Sequence, residues 1–313
     1  MRHYYLPLIT LALAACDPSP TATPPTDNAL APVAGSPAET EEKTQTAPEQ
    51  TPPLTLNAAL ELQDEAHQAR YAFRHPEETL TFFDVQPGQT VMEFLPGGGW
   101  YSKILLPYLG EAGALIGVDY RMDMWAHFPF ADDAFIAKRS TWANTWPSEV
   151  DEWSLENTAE VSAYTVATVP ETLNGSVDRV LFIRALHNFH RFAQHDDYIG
   201  EALDLAHRSL TPDGLVGVVQ HRAPESKTAA WADGSRGYLK QTQLIDLFKQ
   251  HGFTLVNTSE VNANPLDTPG EDDIVWRLAP AYYTSKDNPA LKKQYEAIGE
   301  SDRMTLLFKK TKT

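Results

Sequence analysis

Residues 90–119 read TVMEFLPGGGWYSKILLPYLGEAGALIGVD, and this stretch decides the fold. Residues 91–95 form a short apolar run, which is typical of a buried parallel strand, and Pro-Gly-Gly-Gly at 96–99 ends it. Residues 100–109 carry apolar side chains at helical spacing, and Gly110 is placed to stop that helix. Residues 114–118 form a second apolar run, which Asp119 closes. The pattern predicts a strand, a glycine turn, a helix and a second strand that ends in an acid.

Such a unit brings backbone N–H groups, a helix N-terminus and a carboxylate to one edge of a sheet, where they can hold a nucleotide-like ligand. The spacing does not fit the dinucleotide fingerprint, which needs G-x-G-x-x-G. Instead Glu93 ends the first strand, and Gly97, Gly98 and Gly99 follow it. Asp119 comes twenty residues after Gly99. The alternative is a glycine turn of an α/β protein that binds nothing.

Strands and helices alternate along the rest of the domain. Further strands are predicted at 161–169, 177–183, 215–221, 253–256 and 304–308, and the last two are expected to pair antiparallel. Helices are predicted at 56–73, 76–83, 120–135, 196–210 and 242–251, and the first two are expected to cover the ligand cleft. Residues 140–160 hold three tryptophans and are interpreted as an insertion or lid. The alternation predicts an α/β fold with a doubly wound, Rossmann-like sheet of seven strands.

These motifs resemble those of class I S-adenosylmethionine (SAM) methyltransferases. Glu93, the glycine turn and Asp119 match the first motif and the second-strand acid of that family, with Leu95 in the place of the first glycine. Residues 178–186 resemble its fourth-strand motif, and LTPDGL at 210–215 resembles its L-x-P-G-G-x-L turn. A closer likeness, to an uncharacterised bacterial branch of predicted methyltransferases, rests on PGGGWY at 96–101, HNF at 187–189, QHR at 220–222 and NPLD at 264–267. The resemblance implies the class I methyltransferase fold over residues 56–311.

The resemblance also implies a SAM site. Asp119 would accept hydrogen bonds from the ribose hydroxyls, and Glu93 would steer the turn or accept from the methionine ammonium through water. The glycines would admit the methionine portion of the cofactor close to the backbone, and Tyr120 or Met122 would cover the adenine. The residues assigned to the cofactor are Glu93, Gly97, Gly98, Gly99, Asp119, Tyr120 and Arg184.

Polar side chains follow the predicted fourth and fifth strands. His187 and Asn188 come after the fourth strand and His221 ends the fifth, so we assign these three residues to catalysis. A histidine near neutrality can take a proton from a nucleophile, and activity is then expected to rise with pH through a pKa of about 6.5. Arg184 and Arg222 at the same edge could bind a carboxylate of the substrate.

The leading hypothesis is a SAM-dependent methyltransferase that acts on a small molecule. One alternative is a non-catalytic, ligand-binding lipoprotein on the same fold. Another is a metal-dependent enzyme that uses the histidines, with His190 and His195 added and Asp196 or Asp267 as further ligands. The chain has no H-x-x-x-H or H-E-x-x-H pair, so we assign no metal ligand.

The N-terminal part of the chain reads as a signal and a tether. Residues 1–15 combine Arg2 with an apolar segment, and the Leu-Ala-Ala-Cys ending resembles a bacterial lipobox. The resemblance implies a lipid on Cys16, the only cysteine of the chain. Residues 16–53 are rich in Pro, Thr, Ala and Glu, and we expect a disordered tether. Residues 54–313 would then form a methyltransferase-like domain that faces the periplasm, at the inner membrane if Asp17 acts as a retention signal.

The net charge restricts the partners. The chain carries 42 acidic and 25 basic residues, for a formal net charge of −17. Such a charge disfavours nucleic acid as a substrate and direct binding to anionic lipid. We therefore expect membrane contact only through the lipid on Cys16, and a monomer.

Overall fold

A computed structural model describes residues 52–312, so the predicted signal, Cys16 and nearly all of the tether lie outside the described residues. Within that range seven strands form one sheet: β1 Thr90–Phe94, β2 Ala114–Asp119, β3 Glu160–Thr165, β4 Val177–Ile183, β5 Leu210–His221, β6 Phe253–Ser259 and β7 Arg303–Lys310. Their order is β3-β2-β1-β4-β5-β7-β6. Strands β1 to β5 are parallel, and β7 runs antiparallel to β5 and β6. The predicted doubly wound, seven-stranded α/β sheet with its antiparallel final pair is confirmed.

The helices of the same range cover both faces of the sheet. They are α1 Leu56–Glu61, α2 Glu65–Gln68, α3 Tyr71–Arg74, α4 Pro76–Phe82, α5 Ser102–Leu109, α6 Met122–Trp125, α7 Asp133–Asp151, α8 Leu186–Arg191, α9 Tyr198–Ser209, α10 Gln241–Gln250 and α11 Pro289–Ile298. Short 3-10 turns occur at Glu171–Leu173, Val275–Arg277 and Tyr283–Ser285. No helix of the described part of the chain is long and apolar enough to cross a membrane.

Two apolar layers cover the sheet, one on each face, and a smaller apolar cluster forms around Trp231 and Tyr238. Met92 and Phe94 of β1 belong to the layer that includes α9 and α10, whereas Val91 belongs to the layer that includes α1 and α5. Successive side chains of a strand point to opposite faces, so a strand buried on both sides is apolar at most positions. The order of strands reverses between β1 and β4, and a ligand crevice is expected where that happens, at the carboxyl ends of the strands.

The predicted single helix over residues 56–73 is wrong, because three short helices, α1 to α3, take its place. Asp64 accepts a hydrogen bond from the backbone N–H of His67 at 2.7 Å and so caps α2. A side chain that caps a new helix competes with continuation of the preceding one. The break lies between α1 and α2, and it was not anticipated from the apolar spacing.

The interpretation of residues 120–160 is also wrong. The predicted helix over 120–135 is reduced to α6, and the predicted insertion is α7, the regular crossover from β2 to β3. Trp142 and Trp146 of α7 are buried against the sheet. A Cβ on Gly117 of β2 would lie 2.7 Å from the Trp146 ring, so the glycine makes room for this packing. The tryptophans therefore belong to the core.

The start of β5 differs from the prediction as well. The strand begins at Leu210, where residues 211–214 were expected to form a turn before it. The pairing of β4 with β5 is irregular between Val177 and Arg179, and this irregularity absorbs the extra residues of β5. Helices α8 and α11 were not predicted.

Candidate functional site

A cavity of 870 Å³ opens at the carboxyl ends of the parallel strands. Its lining includes most of the residues that the sequence assigned: Gly97, Gly98, Asp119, Tyr120, Arg184, His187, Asn188 and His221. Glu93 and Gly99 do not line it. The volume is within the range of small-molecule and cofactor sites.

The glycine turn begins with a residue that is not glycine. Leu95 has φ = 56°, the left-handed conformation that a glycine adopts without strain. For a leucine this conformation costs about 1–2 kcal/mol. Gly97 also has a positive φ, whereas Gly98 does not, and a Cβ on Gly98 would meet no heavy atom within 4 Å. The backbone at Leu95 thus has the conformation that a glycine would adopt there. The backbone of Gly98 borders space that no other atom of the protein fills.

Gly99 has a different role from Gly98. Its φ is 77°, and a Cβ there would collide with the ring of Trp153. The assignment of Gly99 to direct cofactor contact is therefore corrected. The absence of a side chain at Gly99 allows Trp153, which follows α7, to pack on the turn.

Glu93 is also corrected to a supporting role. Its side chain is buried, and the hydroxyl of Ser102, the first residue of α5, donates to Oε2 at 2.6 Å. Burial raises the pKa of Glu93 to about 7, and the Ser102 hydrogen bond opposes that rise. The carboxyl group ties β1 to the start of α5 behind the turn.

This burial gives a prediction for Glu93→Gln. Because the folded pKa of Glu93 lies above the ordinary value of 4.5, the folded state holds a proton that the unfolded state releases between pH 4.5 and 7. The wild type therefore loses stability as pH rises through that window, by about 3 kcal/mol at pH 8. Glutamine has no such loss. In urea unfolding, the free energy of unfolding of Glu93→Gln should rise relative to that of the wild type from pH 4.5 to pH 8. A difference in unfolding free energy that does not change with pH would contradict the raised pKa.

Asp119 ends β2 at the cavity, but its carboxylate already has partners. Oδ1 accepts from the backbone N–H of Tyr120 at 2.8 Å, and Oδ2 accepts from the indole of Trp125 at 3.3 Å and from Arg139. Burial raises the pKa of Asp119, and the charge of Arg139 opposes the rise. A ribose would have to share Asp119 with Arg139, a residue of α7 that sequence reasoning missed.

Tyr120 and Asn188 both border the cavity. The Tyr120 ring is buried and lies edge-on to Trp125 and Phe189, with ring centroids 4.8 Å and 4.9 Å away. It is a core residue with one edge at the cavity, so a role as adenine cover stays a prediction.

The hydrogen bonds of Gln220 determine which nitrogen of His187 is free. The Gln220 Nε2 group donates to the carbonyl of Gly237 at 3.1 Å, so its Oε1 faces His187. That oxygen lies 3.3 Å from both the backbone N and the Nδ1 of His187. A carbonyl oxygen can only accept, so Nδ1 carries the hydrogen and Nε2 keeps its lone pair. Gln220, fully buried in β5, is a positioning residue that the sequence analysis quoted within the QHR motif without giving it a role.

His187 and His221 are neighbours, with ring centroids 5.4 Å apart. His221 Nδ1 lies 2.6 Å from the hydroxyl of Ser301. Burial lowers the pKa of His187 to about 4, and burial followed by the nearby His187 lowers the pKa of His221 well below its ordinary value. Both rings are therefore neutral at pH 7. The predicted convergence of the two strand ends is present in the structure.

The other histidines of the predicted cluster lie elsewhere. His190 contacts the carbonyl of Asp233 and the side chain of Gln243, and His195 stacks on His127. The carboxylates considered for a metal site, Asp196 and Asp267, pair with Arg121 and Arg277. Over residues 52–312 no three His, Cys, Asp or Glu side chains are placed to share a metal ion.

The wall opposite the strands comes from the N-terminal helices. The ring of Trp100 stacks on His67 at 4.4 Å, and the guanidinium of Arg74 lies 4.4 Å from its centroid. His67 Nε2 and Trp100 Nε1 are buried without a hydrogen-bond partner within the described part of the chain. In the sequence His67, Arg70 and Arg74 recur at three- and four-residue spacing, which was the signal that could have identified this wall. The structure places them on two short helices, α2 and α3, and not on one continuous face.

Comparisons with known proteins give only distant similarities. No family model and no curated protein matches the chain. Solved structures that are similar include a SAM-dependent methyltransferase from Aquifex aeolicus, 17% identical over 67% of this chain and 94% of that chain, with a TM-score of 0.44. Another is 1,6-didemethyltoxoflavin-N1-methyltransferase from Burkholderia thailandensis with bound S-adenosylhomocysteine, 14% identical over 79% and 82%, with a TM-score of 0.42. At these values the likeness carries no functional conclusion.

Proposed function

We propose that this protein is a SAM-dependent methyltransferase that acts on a small-molecule acceptor. One observation carries the proposal: the glycine turn, the acid that ends β2 and an unprotonated histidine nitrogen belong to residues of a single cavity. The residues fit the cofactor, because Gly98 leaves open space beside its backbone and Asp119 keeps a lone pair of Oδ1.

The chain's own residues account for binding and proton transfer. Gly97 and Gly98 would hold the methionine portion of the cofactor, and Asp119 the ribose hydroxyls. When bound, SAM supplies an electrophilic methyl group. His187 Nε2 would take the proton from the nucleophilic atom of the acceptor as that atom bonds to the methyl carbon. Gln220 holds the imidazole in the required tautomer.

Calorimetry of the purified full chain tests the proposal, with SAM and S-adenosylhomocysteine as ligands. We expect both to bind the wild type, and no binding of either would refute the proposal. Binding without methyl transfer would favour the non-catalytic alternative.

Asp119→Ala is expected to weaken SAM binding by about 1–3 kcal/mol, because the ribose hydroxyls lose their acceptor. The matched control is Asp123→Ala, since Asp123 is an exposed carboxylate of α6 outside the cavity lining. Unchanged affinity in Asp119→Ala, with the fold intact by circular dichroism, would remove Asp119 from the site.

We propose further that Cys16, outside the described residues, anchors the domain to a membrane through a lipid and holds it in the periplasm. Cys16→Ser is expected to move the protein from the membrane fraction to the soluble fraction of cells. A variant that sediments with membranes as the wild type does would contradict the anchor.

A further inference from the structure

The cavity has more cationic than anionic side chains, although the chain as a whole is acidic. Its lining includes the cations Arg70, Arg74, Lys103, Arg139 and Arg184, and the anions Asp64, Asp119 and Glu300. Asp119 is paired with Arg139, and Asp64 is the cap of α2. In a chain of net charge −17, an excess of positive charge at one cavity indicates a ligand of the opposite sign.

One buried carboxylate accepts hydrogen bonds from three guanidinium groups at this wall. Glu300 accepts from Arg70 at 2.8 Å, from Arg74 at 3.2 Å and from Arg303 at 3.0 Å. Arg74, Arg303 and Glu300 are all nearly inaccessible to solvent. The cluster therefore keeps a net positive charge in a region where water screens it poorly.

Arg184 adds a further cation that has no partner of its own. No carboxylate of residues 52–312 lies within 4 Å of its guanidinium, and none of its side-chain nitrogens makes a hydrogen bond in that part of the chain. The charged and titratable groups around it are Arg70, Arg74, Tyr101, His187, His221, Glu300 and Arg303. Burial, followed by the charge of Arg303, lowers the pKa of Arg184 to about 10, so it stays charged at neutral pH.

The backbone of Arg184 is strained as well. Its φ is 58°, in the left-handed region, directly after β4. Strained backbone of this kind is typical of functional sites. A positive charge beside other arginines and a strained backbone both cost stability. An arginine also presents a planar pair of donors that matches a carboxylate or a phosphate.

We propose that the methyl acceptor carries a carboxylate or phosphate group, and that Arg184 binds this group at the wall formed with Arg74. The inference rests on the proposed function and names the class of its substrate. The sequence left two roles open for Arg184, cofactor binding and binding of a substrate carboxylate, and the inference selects the second. The charge of Arg184 acts on both His187 and His221, so the bound anion would lie near the proposed base. Neutralising that charge would also make His187 more basic when the acceptor is present.

The test is calorimetry of the full chain with three probes: inorganic phosphate, sodium benzoate and S-adenosylhomocysteine. Arg184→Gln removes the charge. The substrate role expected for Arg222 from the sequence is corrected, because Arg222 follows β5 but pairs with Glu260 and Asp302 outside the cavity lining, so Arg222→Gln is the control. We expect phosphate or benzoate to bind the wild type and the control, and to bind Arg184→Gln at least tenfold more weakly. S-adenosylhomocysteine should bind all three proteins within threefold, without competition from the anion. Binding of phosphate would indicate that the acceptor carries a phosphate group, and binding of benzoate would indicate a carboxylate.

Three results would overturn the inference: neither anion binds the wild type, the anion binds Arg184→Gln as well as the wild type, or Arg184→Gln loses S-adenosylhomocysteine and the anion competes with it. The third result would indicate that Arg184 binds the cofactor and not the acceptor. If the wild type fails to bind S-adenosylhomocysteine but binds the anion through Arg184, the proposed function fails and the anion site stands.

Stability gives a separate measurement. Removing a positive charge that lies beside Arg303 and Arg70 should raise the melting temperature of ligand-free Arg184→Gln, whereas a lower melting temperature would indicate a structural role and count against the inference. If Arg184→Gln does not fold, Arg184→Lys takes its place: it keeps the charge, loses the planar pair of donors and should bind the anion more weakly than the wild type.

Discussion

Gly98→Val is expected to abolish SAM binding, by more than about 100-fold in affinity, while the melting temperature stays within a few degrees of the wild type. Gly98 lines the cavity, and a Cβ there meets no atom of the protein. Its φ is not in the left-handed region, so valine strains the backbone little. Under the proposed function the added side chain would occupy the space of the cofactor, and calorimetry with melting curves would measure both effects.

Gly99→Val is the matched control, one residue further along the same turn. It forces a side chain into the Trp153 ring at a positive φ, so the expected result is a large loss of stability. If Gly98→Val instead unfolds the protein, the turn is purely structural. If Gly98→Val folds and binds SAM normally, the cofactor does not occupy this turn.

His187→Ala is expected to lower methyl transfer by about 10²–10⁴-fold while SAM affinity stays unchanged, because the imidazole would contact the acceptor and not the cofactor. His190→Ala is the control. His190 is also on α8, but its ring contacts Asp233 and Gln243 outside the cavity lining, so turnover should be unaffected. Transfer of a labelled methyl group and calorimetry separate the two quantities. A loss of SAM affinity equal to the loss of turnover would exclude the role as base.

The pH dependence expected for this base differs from the one that the sequence suggested. An unperturbed histidine predicts activity rising through a pKa of about 6.5. Burial lowers the pKa of His187 to about 4, so the imidazole is unprotonated throughout the range from pH 6 to 8. Turnover should be flat over that range and fall as the medium approaches pH 4.

Chelators should leave this activity unchanged if His187 and His221 act without a metal. A transition metal that survives dialysis, and whose removal stops turnover, would support the metal-dependent alternative. Loss of that metal in both His187→Ala and His221→Ala would identify the ligands.

The sequence by itself determined the fold and placed eight of its ten assigned site residues at the cavity. The unit from β1 through α5 to β2 was predicted within two residues at each boundary, because short apolar runs closed by glycine, proline or an acid specify these elements locally. Parallel strands expose their carboxyl ends at one edge, so Asp119, His187 and His221 could be placed on the same side without coordinates.

The tertiary structure alone decided what those side chains can do. The Arg139–Asp119 pair, the hydrogen bond of Gln220 to His187, and the Arg70–Glu300 pair join residues 20, 33 and 230 positions apart. Because Glu93 is buried, it supports the turn and does not contact a ligand. Burial also lowers the pKa of His187, so its imidazole is neutral. A local pattern can fix a strand and its end, because those depend on neighbouring residues. It cannot fix a charge state or an ion pair, because these depend on solvent exclusion and on partners that only the folded chain brings together.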